Sequence, residues 1–102
     1  MTDVARAVRA LQGMAYEHRL HILMLLRASE STPGTLSENA SVHPTAIAHH
    51  LRHLLDAGLV RRRREGRHVY YRLADEATVL LLDDVVRFAQ AGRQRDRPVP
   101  AS

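Results

Sequence analysis

Apolar residues recur along this chain at helical spacing, pause for short polar loops, switch once to strict alternation, and then return to helical spacing. Thr2 is placed to cap a first helix in which Val4, Ala7, Val8 and Leu11 fall at i, i+3, i+4 and i+7 and make a narrow apolar stripe; Gly13 is expected to end it. A second helix is expected from about Glu17 to Ser29. Its Leu20, Ile22, Leu23, Met24, Leu25 and Leu26 leave almost no polar face, which marks a central, buried helix. Residues Ser29–Gly34 read as a loop and Thr35–Ala40 as a short third helix. The fourth helix has the clearest ends, with His43 at the N-cap, Pro44 at the first helical position and Gly58 just past the last turn. Ile47, Ala48, Leu51, Leu54 and Leu55 share one of its faces; Thr45, His49, Arg52, His53 and Asp56 share the other.

Alternation then takes over. Leu59–Arg64 and Arg67–Leu73 read as two strands, with Val69, Tyr71 and Leu73 alternating with His68, Tyr70 and Arg72, and Glu65-Gly66 as the turn. A last helix is expected from Glu76 to Ala91 with Asp75 as its cap. Val79, Leu82, Val86 and Ala89 form one stripe, and Leu81, Val85 and Phe88 widen it beyond what a single packed face requires. Residues 92–102 are polar and contain Pro, and are expected to be a disordered tail. The expected fold is therefore mainly α with one small β-hairpin between the fourth and fifth helices. Residues 1–91 should form a single winged helix-turn-helix domain.

Charge sharpens this picture. The 102-residue chain carries a formal net charge of +4, and all 15 of its basic residues are Arg. Residues 61–72 hold six of them, at 61, 62, 63, 64, 67 and 72, against the single acid Glu65. Elsewhere nine Arg face ten acids, so the excess lies in the hairpin. A helix with a polar face joined directly to an arginine-rich hairpin suits double-stranded DNA: a helix for the major groove and a wing for the phosphates. Thr45, His49, Arg52 and His53 are the groups expected to meet bases or phosphates from the helix. Arg62 and Arg64 on one strand face, Arg61 and Arg63 on the other, and Arg67 and His68 at the tip are the cations of the wing.

With no Cys, disulfides, thiolate metal sites and thiol sensing are excluded. No run of apolar residues is long enough to span a bilayer and the N-terminus is too polar for a signal peptide, so a cytoplasmic protein without membrane contact is expected. No paired nucleophile and base, Gly-rich phosphate loop or HExxH motif is present, and the serines sit near loops and caps. An enzyme is not expected.

The segments HRLHILMLL, LSENASVHPTAIAHHLRHLLDAGLV and RRRREGRHVYYRL together resemble the ArsR/SmtB family of winged-helix bacterial regulators, over roughly residues 10–90. The resemblance implies a homodimer on a palindromic operator, with Pro44–Ala57 as recognition helix and Leu59–Leu73 as wing. It also implies a dimer interface built from the first and last helices, where the surplus apolar surface lies.

Family members usually sense metal ions, and here this chain departs from the pattern. The stretch TPGTLSEN has no cysteine site. Of the last-helix ligand set, Asp75 matches the Asp, but Ala77, Arg87 and Ala91 stand where the other three ligands belong. His18 and His21, at i and i+3, are the remaining metal candidates, and a nitrogen and oxygen ligand set would favour Ni or Zn. His49 and His53, at i and i+4, are assigned to DNA, His50 to the core face and His43 to the cap. Two readings follow besides direct metal sensing: a homodimer answering another effector, and the DNA-binding half of a two-protein regulator whose co-regulator protein carries the sensor.

Overall fold

The computed structural model describes residues 1–96. In chain order its elements are α1 (Asp3–Met14), α2 (Glu17–Ala28), α3 (Pro33–Ala40), α4 (Pro44–Asp56), β1 (Val60–Glu65), β2 (His68–Leu73) and α5 (Glu76–Arg95). This is the expected winged helix-turn-helix order.

Local chemistry explains most of the boundaries. Thr2 Oγ1 accepts from the Ala5 amide at 3.1 Å, so α1 starts where a capping hydroxyl satisfies one of its free donors. Helix α3 begins at Pro33, two residues before the expected Thr35. Thr32 caps it by accepting from the Thr35 amide, and Pro33 supplies a first-turn residue whose missing N–H costs nothing. It ends on Ser41, which takes the left-handed conformation at φ 54°. At α4, His43 Nδ1 accepts from the Thr45 amide at 3.1 Å ahead of Pro44, as the sequence indicates.

Two expectations at helix ends need correction. Gly13 does not end α1; the helix runs through it to Met14. Gly13 is there for proximity, because a Cβ at this position would lie 2.5 Å from Ala57 Cβ, at the end of α4. The proposed disordered tail also begins too early: residues 92–95 belong to α5, which is capped by Asp96. The rest of that tail, residues 97–102, lies outside the described residues.

The hairpin pairs antiparallel, with Val60 opposite Leu73, Arg62 opposite Tyr71, Arg64 opposite Val69 and Glu65 opposite His68. The turn is therefore Gly66-Arg67, one residue later than expected. Gly66 has φ 60°, the positive value that the first position of a tight hairpin turn demands, and Arg67 stays at negative φ. Beyond β1, Ser31 bridges the other edge of β2: its amide donates to the Tyr71 carbonyl at 3.0 Å and its carbonyl accepts from the Tyr71 amide at 2.8 Å. The α2–α3 connection is thus stitched to the wing.

The core sits where α2, α3, α4 and the base of the hairpin meet. Ile22, Leu23, Leu36, Ile47, Leu51, Leu54 and Leu82 are fully buried, each stabilising the fold by roughly 1.5–3 kcal/mol. Val60, Tyr71 and Leu73 close it from the hairpin side. Helix α5 adds Leu82 to this core and a bidentate ion pair, Arg27 to Asp83, whose N–O distances are 3.0 and 3.2 Å. Asp83 is half-buried, and the hydrogen bond from Arg27 holds its carboxyl below the usual carboxylate range.

Candidate nucleic-acid interface

Helix α4 and the wing are consecutive, separated only by the stretch Ala57–Leu59. Ala57 is half-buried, and Gly58 turns the chain at φ 75°, the left-handed conformation that closes helices. Leu59 is then buried, fixing where β1 starts relative to α4. Because Ile47, Leu51 and Leu54 all point into the core, the opposite face of α4 has to face outward. Thr45, His49, Arg52 and His53 lie on that face and all are exposed.

The two histidines there are joined to one another. His49 and His53 approach Nε2 to Nε2 at 3.1 Å with ring centroids 4.6 Å apart, one imidazole donating and the other accepting. The accepting ring is necessarily neutral. A base or phosphate that engages either histidine therefore competes with this internal bond, whereas Arg52 makes no ion pair or hydrogen bond with another described side chain.

The wing arginines are not equivalent. Arg63 is spoken for: it donates to Glu30 from two nitrogens, to Glu65 Oε2 at 2.7 Å, and lies 4.7 Å above the Tyr70 ring centre. The hydrogen bond from Arg63 pulls the Glu30 carboxyl below its ordinary pKa. Arg62, Arg64 and Arg67 are exposed and form no ion pair among the described residues. Of the arginine run, those at 61, 62 and 64, together with Arg67 and His68 at the tip, remain open to a polyanion. Sequence reasoning missed the Glu30–Arg63 pair. Glu30 is 33 residues away, and only the Ser31–Tyr71 bridge brings it alongside.

The proposed metal pair fares differently. His18 and His21 are both exposed, and the imidazole beside His18 is His50 of α4, with ring centroids 5.7 Å apart. Among the described residues no group of three or more His, Asp or Glu converges in a way that would hold a metal ion. Asp75, the one residue matching the last-helix ligand set, is engaged as the cap of α5. Its Oδ1 accepts from the Thr78 amide at 2.9 Å and the Thr78 hydroxyl at 2.8 Å, and these bonds hold its carboxyl below its ordinary pKa. No helix among the described residues is long and apolar enough to cross a membrane.

Residues 17–62 match the family model described as "Bacterial regulatory protein, arsR family". The transcriptional activator HlyU of Vibrio cholerae is 35% identical over 79 residues, 78% of this chain and 73% of that protein. The regulator NmtR of Mycobacterium tuberculosis is 35% identical over 82 residues, 80% of this chain and 68% of its own length. The chain belongs to the ArsR family. Solved structures agree: HlyU superposes with a TM-score of 0.79 at 33% identity, covering 85% of this chain and 95% of that one. A homodimeric winged helix-turn-helix DNA-binding domain from Mycobacterium bovis gives 0.86 at 27% identity, covering 98% of this chain and 97% of that one. The protein is accordingly a DNA-binding transcriptional regulator of the ArsR type, with α3 and α4 as its helix-turn-helix and β1–β2 as its wing.

Proposed function

We propose that this ArsR-type regulator binds a palindromic operator as a homodimer, reading bases through Thr45, His49, Arg52 and His53 and gripping phosphates through Arg62, Arg64, Arg67 and His68. One observation carries the assignment: these residues are all exposed, and the cations among them, unlike Arg63, are left without acidic partners among the described residues, on the helix and wing that follow one another in a complete winged helix. The homodimer is preferred to a two-protein regulator because helix and wing are complete in one chain and the M. bovis domain with the same fold is homodimeric. Such a regulator would act in the cytoplasm, where the DNA is.

The two groups of residues should fail differently when removed. Phosphate contacts give affinity that falls steeply with salt and carry no sequence information, whereas base contacts discriminate. Binding to the chain's own upstream DNA and to random DNA, followed by fluorescence anisotropy at two salt concentrations, separates them. Replacing Arg62 and Arg64 by Ala should weaken both DNAs alike and lower the salt slope by about 1 for each phosphate no longer neutralised. Thr45→Ala or His49→Ala should cost about 1–3 kcal/mol on the specific DNA and little on the random one. Equal losses on both DNAs for every variant would reject the division of roles.

A further inference from the structure

Beside the proposed DNA-reading face lies an open cleft of about 530 Å³, lined by α1 through Arg9 and Gly13, by the start of α2 through Tyr16 and Arg19, and by the last turn of α4 through His53 and Asp56. Its volume is that of a small-molecule site. The notable resident is Arg19. It is 7% exposed, yet it makes no hydrogen bond or ion pair with any described residue, and its Nε is shut away from solvent with no acceptor. Its central carbon stands 3.9 Å above the centre of the Tyr16 ring. A ring face partly offsets the cost of burying a cation but accepts no hydrogen bond in the guanidinium plane. A buried, unpaired charge is expensive, and the partner that would relieve it is an anion.

A second feature points the same way. Tyr16 occupies the N-cap of α2, and no side chain caps the helix there. The first-turn amides of α2 are left with their partial positive charge beside the same cleft. Arg9 adds a third cationic group. One of its nitrogens donates to the Asp56 carbonyl, and its remaining donors are uncommitted. Asp56 also lines the space, so a ligand whose anionic end meets Arg19 and whose other end carries a donor, such as an ammonium or a hydroxyl, would suit it best.

We propose that this cleft is an effector site for a small molecule bearing an oxyanion, a carboxylate or a phosphate, held by Arg19 with Arg9 and the α2 amides. Planar oxyanions match the guanidinium fork, and such bonds are strong when desolvated. The position gives the ligand leverage. It would tie α1 and α2 to the end of α4 against His53, whose other contact is His49 on the DNA-reading face. Ligand and operator affinities would then change together and reciprocally. That coupling rests on the DNA-binding reading; occupation of the cleft does not.

The test is an amide-resolved NMR titration of the intact, ¹⁵N-labelled protein in low-anion buffer, with benzoate and inorganic phosphate as probes. Saturable shifts centred on Gly13, Tyr16, Arg19 and Ala57 are expected, weakened at least tenfold by Arg19→Gln. If Arg19→Gln does not fold, Arg9→Gln, at an exposed position, provides the same test. Arg6→Gln, which removes one arginine from elsewhere on α1, should leave the titration unchanged. Preference for benzoate assigns the ligand to carboxylates and preference for phosphate to phosphate esters; both uphold the site. Shifts spread over the wing, equal in all variants, would mean an adventitious ion only and would overturn it, as would no saturable shift at millimolar probe. A DNA titration of the same samples reports the coupling separately, so a protein that fails to bind DNA can still show a filled or an empty cleft.

Discussion

At the scale of single residues, the molecule keeps several polar groups under tension close to α4. His50 is the clearest. It is half-buried, its Nδ1 has no partner among the described residues, and its pKa is pushed below 6.5 first by burial and then by electrostatic repulsion from its neighbours: His18 and Arg19 on α2, and His49 and His53 on its own helix. A lowered histidine pKa means that the unfolded chain binds the proton more readily. Stability is therefore undiminished above pH 6.5 and is lost as pH falls from there towards the folded-state pKa, levelling off below it. Thermal melts at pH 7.5 and 5.5 should show a drop in Tm that is smaller in His50→Leu, which has nothing to protonate. A drop of the same size in both proteins would place the sensitivity elsewhere. The sequence placed His50 beside the core but gave no hint of its neighbours. His18 lies 32 residues earlier, and only the packing of α2 against α4 sets the two rings 5.7 Å apart.

At the scale of elements, legibility followed the range of the cause. The caps at Thr2, His43 and Asp75 and the Pro44 start are local, acting within three residues, and they were readable. The first turn of α3 was missed because Thr35, itself a reasonable cap, competes with Thr32, and Pro33 decides between them. The wing turn slipped by one residue because both Glu65-Gly66 and Gly66-Arg67 contain the glycine; the register of Val60 against Leu73, buried at the base, selects the second. Gly13 was misread for a different reason. In sequence, a glycine near a helix end looks like a stop, but here it lets α1 pass against the end of α4, with Ala57 Cβ and Leu59 Cδ1 at 2.5 and 3.1 Å from where its Cβ would be. Gly13→Ala sets a gain of about 1 kcal/mol in helix propensity against a backbone-anchored clash that neither helix relieves by a rotamer change. The clash should win, with a net loss of about 1–3 kcal/mol in chemical denaturation. An unchanged or higher midpoint would show that α1 can shift away from α4 at no cost.

At the scale of the whole molecule, the surplus apolar surface read from the stripes of the first and last helices stays uncovered in the single protomer. On α1, Val4 is 74% exposed, and Val8 and Leu11 continue the same stripe; on α5, Phe88 is 69% exposed and Leu80 56%. Exposed apolar surface concentrated on two helices is what an interface between subunits would cover. On this reading the outward stripes of α1 and α5 would pair with a second copy, while Met14 and Leu82 on their inner faces join the core. Two identical half-sites then call for two identical heads, their spacing set by that pairing. Val8→Asp with Phe88→Asp tests the arrangement, since both side chains are exposed in the protomer and their loss leaves its core intact. Light scattering after size exclusion should report a monomer where the parent protein is a dimer, with circular dichroism unchanged. Affinity for the operator should fall at least tenfold while weak binding to random DNA persists, because each head keeps its own α4 and wing. A double variant that still dimerises would move the interface off these helices, and one that becomes monomeric yet binds its operator undiminished would remove the need for two heads.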